Sequence, residues 1–387
     1  MNTQLTYVII TPYSLLKSRT GGIIGRLLSL TKDLEFAGAR MYSPSAEFLA
    51  RYKQTLALED MSDLARSAMN DYIQNALPPG NRFGISNRAM VLLFRGKDAV
   101  KSLQHVIGDL SRLMRGDTIR GTYGDFVTRQ SGEVEFFEPA VLSPTNERAN
   151  REQLRILHDF AMTDGGILEH VVKYPEGVTP QTTLVIIKPD NFLRKSARPG
   201  NIIDMFSRTG LYVVGAKLLQ LTEAQATEFY GPLRAIFRSK LKGAIASKLR
   251  EALKTTFRFA ITESQYAQMA EVLADSNADA EFRRIVNYMT GSEENPWSSG
   301  ASSGKCLALL YQGENAIEKI RERLGATNPD SAEPGTVRST YGHDLMKNGA
   351  HASDSVENAE RERKIIGLWE EGETCDTREL IAEYLHE

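Results

Sequence analysis

Residues Tyr7–Pro12 read YVIITP and residues Leu184–Pro189 read LVIIKP. Each is a short run of β-branched and aliphatic residues suited to a buried strand, and each is stopped by a proline that cannot donate to a sheet ladder. The likeness continues outward in the same order. Gly22-Ile23-Ile24 answers Gly200-Asn201-Ile202-Ile203, each opening a helix-like segment, and Phe36-Ala37-Gly38-Ala39-Arg40 answers Val213-Val214-Gly215-Ala216-Lys217. Met90–Arg95 (MVLLFR) answers Cys306–Gln312 (CLALLYQ), ahead of helices that begin Gly-Lys-Asp-Ala-Val and Gly-Glu-Asn-Ala-Ile. Asp117-Thr118-Ile119-Arg120 then stands against Gly335-Thr336-Val337-Arg338, and Tyr123-Gly124-Asp125 against Tyr341-Gly342-His343. Pro139–Ser143 stands against Gly349–Ser353, and Glu147–Glu152 and Glu357–Glu362 share Glu-x-Ala-x-Arg-Glu.

Ordered self-similarity of this kind reads as a tandem duplication. Each copy runs strand, helix, strand, helices, strand, helix, strand, helix. That βαββαβ order predicts an α+β protein of two ferredoxin-like domains, each an antiparallel sheet covered by helices. The first domain is expected over 1–169 and the second over 183–387, joined by a linker at 170–182 that holds Tyr174-Pro175-Glu176-Gly177 and Thr179-Pro180. A chain of 387 residues has room for two domains that each bury a core.

A formal net charge of −2 gives no global basic field, so neither nucleic acid nor an anionic membrane is an expected partner. The first apolar run, Tyr7–Ile10, is too short for a signal peptide, and no later run approaches membrane length. Two cysteines, Cys306 and Cys375, suit a reducing compartment, and the expected location is cytoplasmic.

The segment Asn348-Gly349-Ala350-His351-Ala352-Ser353-Asp354-Ser355 resembles the Asn-x-x-His-Gly-Ser-Asp-Ser signature of nucleoside diphosphate kinases. Three further blocks share the resemblance: Ile187-Lys188-Pro189-Asp190 at the first strand end, Gly325–Pro329 with Glu333–Arg338 as a nucleotide loop, and Glu357-x-x-Glu360-x-Glu362 in the last helix. It covers Thr182 to the C-terminus. Four ordered motifs make a far stronger signal than one short match.

The chemistry is sound on the residues themselves. A neutral imidazole nitrogen can attack a γ-phosphorus and carry the phosphoryl group, provided the other nitrogen is held in one tautomer by a hydrogen bond. Transfer then requires positioning and charge neutralisation. The resemblance gives the tautomer-holding role to Glu362, eleven residues and three helical turns after His351. It places Lys188 at the γ-phosphate, Arg321, Arg338 and Thr327 at the phosphates, Asn348 and Lys188 at the sugar hydroxyls, Tyr230 and Ser353 beside His351, and Phe282 stacked on the base. Asp354 and Glu357 have the spacing of a capping box, which would start a helix whose backbone N–H groups face the phosphate. The resemblance also implies Mg²⁺ carried mainly by the nucleotide phosphates, with no dedicated protein ligands.

The activity implied is transfer of a γ-phosphoryl group from ATP or another nucleoside triphosphate to a nucleoside diphosphate, ping-pong, through phospho-His351. The alternative reading is a non-catalytic nucleotide sensor or scaffold built from two pseudo-kinase copies. Relatives of this type form tetramers or hexamers, so a homo-oligomer of two or three tandem chains is expected.

Several features depart from the family pattern. Ala352 replaces the glycine after the histidine, and its methyl would crowd a backbone at positive φ. Tyr230 and Phe282 are separated by a helical insertion at about 233–281, whose stretch Leu241–Phe259 is rich in Lys and Arg. Such a face suits solvent, an oligomer contact or an acidic partner. A second insertion, Ser292–Ser303, reads as a Gly/Ser-rich flexible loop. Ser299–Cys306 mimics a P-loop, but its first glycine is out of register, Cys306 replaces the Ser/Thr, and a strand rather than a helix follows.

The first copy lacks the chemistry. Thr11 replaces the lysine, Val141 aligns with the histidine and Glu138 with Asn348, while Arg120 remains. A valine carries no phosphoryl group, so this copy is expected to keep the fold without the activity.

Overall fold

In the computed structural model of the chain, the residues described are 3–31, 33–110, 116–131, 133–292 and 304–386. The Ser292–Ser303 loop beyond its first residue, and the first five residues of the P-loop-like stretch, lie outside them.

The strands are β1 (Thr3–Ile10), β2 (Glu35–Tyr42), β3 (Ala89–Lys97), β4 (Asp125–Thr128), β5 (Val134–Glu138), β6 (Val141–Leu142), β7 (Gln181–Ile187), β8 (Tyr212–Gln220), β9 (Lys305–Gly313) and β10 (Ala350–Ala352). They form two four-stranded sheets, β2-β3-β1-β6 and β10-β7-β9-β8, with β4 and β5 as a separate ribbon. Written from the last strand of each copy, both sheets have the same order: fourth, first, third, second. β1 pairs antiparallel with β3 and β6, and β7 antiparallel with β9 and β10. This is the α+β arrangement expected from the βαββαβ order. The β4–β5 ribbon was not legible in the repeat; it fills the first copy where the second has only the turn 342–349.

The likeness between the two halves extends to backbone conformation. Asp98 (φ 49°) and Asn315 (φ 53°) both precede a helix, Gly108 (φ 84°) and Gly325 (φ 86°) both end one, and Ala140 (φ 62°) matches Gly349 (φ 83°) before the last strand. Asp and Asn tolerate the left-handed region better than other side chains, whereas Ala140 adopts it against its preference.

The linker divides the sheets along the chain but not in space. Both belong to one compact unit, Met1–Leu219 with Cys306–Glu387. Val8, Ile10, Ile23 and Leu27 of the first copy share one core cluster with Val185, Ile187, Ile202 and Phe206 of the second. The helices Thr20–Leu30 and Arg198–Ser207 cross in direct contact. A Cβ on Gly21 would lie 2.3 Å from the Gly200 carbonyl oxygen, and one on Gly200 would lie 2.2 Å from that of Gly21. Only glycine permits that approach.

The second unit is Gln220–Lys305. Its helices Leu233–Lys240 and Lys242–Leu253 contact the long helix Glu263–Thr290. Arg234–Asp279, Arg238–Asp275, Lys242–Glu271 and Arg250–Glu263 form ion pairs along this contact. Within the basic stretch Leu241–Phe259, Lys242 and Arg250 thus find acidic partners in their own unit, while Lys248, Lys254 and Arg258 are exposed. No described helix is long and apolar enough to cross a membrane.

Candidate active site

β10 is only three residues long and buries its two alanines, which points the residue between them, His351, to the other face of the sheet. Its register against β7 is Ala350 to Ile187, His351 to Ile186 and Ala352 to Val185. The His351 side chain is 19% exposed, and its Nε2 lies 2.8 Å from Glu362 Oε2. Ser353, fully buried, donates its hydroxyl to the same carboxylate oxygen at 2.7 Å. Burial pushes the Glu362 carboxyl up, but His351, Ser353 and Arg361 outweigh that and hold its pKa below the usual carboxylate value. An ionised carboxylate on Nε2 keeps the ring proton there, and the lone pair then belongs to Nδ1.

The helix Val356–Ile365 brings Glu362 back to the histidine. Its cap corrects the sequence expectation. Ser355, not Asp354, is the N-cap, its hydroxyl accepting from Asn358 N at 3.1 Å, while Asp354 accepts from the Asn358 side chain at 2.6 Å. The extended backbone at Ser355 fixes the cap there, and the Asp354–Glu357 capping box is not formed.

A second hydrogen-bonded set lies at the end of β7. Lys188 Nζ donates to Asn348 Oδ1 (2.8 Å) and to the Met346 carbonyl (3.0 Å). Asn348 Nδ2 donates to the carbonyls of Thr327 (3.0 Å) and Leu345 (3.1 Å). Arg338 Nη1 reaches the Gly325 carbonyl (3.0 Å) and the Thr327 hydroxyl (3.4 Å), and Nη2 reaches the Ala350 carbonyl beside His351 (3.4 Å). Burial, reinforced by the positive charge of Arg338, pulls the Lys188 ammonium down to about 8. Asp190 and Asp344 only partly offset the burial and the mutual repulsion of these two cations, and such a site suits an anionic ligand.

The structure thus brings together His351, Glu362 and Ser353 in one set, and Lys188, Asn348, Thr327 and Arg338 in another joined to it through β10. Arg321 is outside both. It stands exposed on the helix Ala316–Leu324 and lines a surface cleft with Glu318, Asp354 and Ser355. Tyr230 and Phe282 belong to the helical unit: Tyr230 is buried with its ring 4.9 Å from that of Phe229, and Phe282 is half-buried on the long helix. Among the described residues no three His, Cys, Asp or Glu side chains converge as metal ligands. The donors present are cations and amides, which suit a polyphosphate.

Sequence reasoning missed Asn191. Buried at the turn after β7, it donates to the carbonyls of Lys188 (3.0 Å) and Gly349 (2.6 Å), fixing the spacing of the two strand ends that carry the site. Its place directly after Lys188-Pro189-Asp190 was the available signal. Ala352 lies in strand backbone; among the described residues the non-glycine positions of positive φ are Ser18, Asp98, Ala140 and Asn315. Its methyl therefore meets no conformational constraint, and Ala352→Gly is expected to leave kcat/KM within about twofold. A large gain on that substitution would show that the methyl crowds the site after all.

The equivalent place in the first copy is closed, and the alignment there shifts by one residue. Leu142 pairs with Ile9 as His351 pairs with Ile186, so Leu142 rather than Val141 occupies the histidine position. Eleven residues on, Gln153 takes the place of Glu362. It accepts from Tyr7 Oη (2.7 Å) and donates to Thr55 (2.9 Å) and Glu59 (2.6 Å). Glu138 turns inward to accept from the Thr11 hydroxyl (2.8 Å) and Ala140 N (3.0 Å), and burial raises its pKa to about 7. Arg120 still reaches the Gly108 carbonyl (2.7 Å), as Arg338 reaches that of Gly325. All of these side chains are buried.

Comparison with known proteins agrees with the second copy. The family model described as nucleoside diphosphate kinase matches residues 181–237 and 234–369. A nucleoside diphosphate kinase of Bdellovibrio bacteriovorus is 31% identical over 196 residues, covering 51% of this chain and 97% of the relative. Among solved structures, an NDP kinase from Pyrobaculum aerophilum is 26% identical with a TM-score of 0.36, covering 51% of this chain and 100% of that one. The Aquifex aeolicus nucleoside diphosphate kinase is 25% identical with a TM-score of 0.32, covering 49% and 95%.

Proposed function

Because the chain belongs to the nucleoside diphosphate kinase family, we propose that its second copy passes a γ-phosphoryl group from a nucleoside triphosphate to a nucleoside diphosphate by a ping-pong route through His351. The observation that carries this reading is the His351–Glu362–Ser353 set, 2.8 and 2.7 Å apart, beside the buried pair Lys188 and Arg338.

Nδ1 of His351 attacks the γ-phosphorus and the bond to the bridging oxygen breaks, releasing the diphosphate. Nε2–H stays on Glu362, whose negative charge stabilises the positive charge that develops on the ring. The same steps run in reverse with the acceptor diphosphate. Lys188 and Arg338 neutralise the oxygens of the transferred group, and Thr327 and Asn348 hold the loop and strand end in place. Mg²⁺, if it entered with the nucleotide, would supply further charge neutralisation, with Lys188 and Arg338 remaining the protein's own contribution. Arg321, exposed on the helix Ala316–Leu324, is the further cation this proposal offers to the phosphates. The division into a silent copy over 1–169 and an active copy over 183–387 belongs to the same proposal.

Incubation with γ-labelled ATP and Mg²⁺ tests it. One acid-labile, base-stable phosphate per chain is expected, discharged on adding GDP, because the first copy is filled by its own side chains. Two phosphates per chain would refute the silent first copy. A stable nucleotide complex without labelling would refute the covalent route.

A further inference from the structure

We infer that the degenerate first copy serves the reaction as a clamp on the helix that carries Glu362, with Glu169 and Arg363 as positioning residues. The inference rests on the reading of His351 as phosphoryl carrier. Glu362 and Arg363 are successive residues of the helix Val356–Ile365, so their side chains diverge by about 100° around the axis. Glu362 faces His351. Arg363 points the other way and is buried, with Nη1 3.0 Å from Glu169 Oε1 and Nε donating to the Leu368 carbonyl at 3.2 Å. Its guanidinium also lies 5.0 Å from the Trp369 ring centre.

Glu169 sits on the segment that leaves the first copy, and that segment is fixed just before it. Gly166 N donates to Met41 O in β2 at 2.9 Å, and Leu168 N to Val214 O in β8 at 2.7 Å. Beyond the Glu362 helix the chain is tied to the first copy twice more. Arg40 of β2 pairs with Glu373 at 2.7 Å while its other nitrogens donate to Ala161 O. The final helix, Asp376–His386, then lies against β1, β2 and the helix Glu147–Asp159, with Ile381 and Tyr384 inside the first copy's core cluster. Buried ion pairs contribute little net stability, because desolvation offsets their attraction, but they admit few geometries. Two such pairs, each a buried arginine meeting a partly buried glutamate, stand on either side of one short segment and constrain where the helix sits, and so where the Glu362 carboxylate meets the imidazole.

The full chain is compared with Glu169→Gln, Arg363→Lys and Glu362→Gln, and with each of the first two combined with the third. Read by rapid-quench labelling, phosphorylation by ATP should slow roughly tenfold in Glu169→Gln and Arg363→Lys, with the acceptor KM within about twofold of wild type. Those losses should vanish in the Glu362→Gln background, because positioning residues act through that carboxylate. Arg363→Lys keeps the charge and changes only its geometry, so it decides the matter should Glu169→Gln fold poorly. Unchanged labelling rates in folded variants, or losses that multiply with Glu362→Gln, would overturn the clamp alone. Full activity in Glu362→Gln itself would overturn the site reading beneath it.

Discussion

Replacing His351 by alanine is expected to lower transfer between nucleotides by more than about 10³-fold, the scale on which a covalent carrier fails when its nucleophile is removed. The acid-labile phosphoenzyme should vanish with it. Glu362→Gln keeps the shape of the partner but removes its charge, so the ring loses the group that stabilises its developing positive charge. A smaller loss is expected there, and no further loss when the two changes are combined, since the carboxylate acts only through the ring. Ser353→Ala should follow Glu362→Gln in kind, because its hydroxyl touches the carboxylate and not the imidazole. Five other histidines exist in the chain: His105, His158, His170, His343 and His386. Undiminished acid-labile labelling in His351→Ala would hand the carrier role to one of them and dismantle the assignment.

The sheet order was legible in the sequence because strands ended by proline and turns set by glycine recur in both halves. What the repeat misjudged was its own frame. Aligning Glu-x-Ala-x-Arg-Glu in the two final helices sets Val141 against His351, yet strand pairing sets Leu142 there. The difference is one residue, enough to move a side chain to the other face of a sheet. The helix caps hold the true frame: Asn146 and Ser355 each stand four residues after the paired position, and a cap is fixed by backbone geometry whereas a helix-surface Glu is not. The insertion's basic stretch is largely exposed, as one of its readings held, but its pairing with the long helix was not legible. Its basic side chains looked solvated or partner-seeking when the helix was read alone. Steps of four from Arg234 to Arg238 to Lys242 are met by steps of four back from Asp279 to Asp275 to Glu271. That complementarity appears only when two distant segments are laid antiparallel. The clamp around Arg363 was hidden likewise, since Glu169 and Arg40 are far away in sequence and nothing in the repeat pairs either with the last helix.

Lys188→Met is expected to cost about 10²–10³-fold in kcat/KM, the usual effect of deleting one charge from a prepared electrostatic site, and its pH dependence distinguishes the cause. In the unliganded wild type the ammonium loses its proton as pH rises through about 8. A neutral amine no longer attracts a phosphate, so kcat/KM should fall above that pH, and nucleotide binding should take up a proton there. Lys188→Met should lack that limb. Arg338→Gln should move it to higher pH, because a neighbouring positive charge that disfavours the ammonium has gone. Stability must run the opposite way. The folded-state pKa lies below the ordinary lysine value of 10.5, so between about 8 and 10.5 the unfolded chain binds the extra proton and the Lys188 contribution to stability rises with pH. Measured as the difference in unfolding free energy between wild type and Lys188→Met, the wild type should therefore gain relative stability across the window in which it loses catalytic efficiency. Alkaline unfolding would make both quantities fall together. A wild-type profile flat from pH 7 to 10 would mean that Lys188 stays charged, and that Arg338 does not strain it.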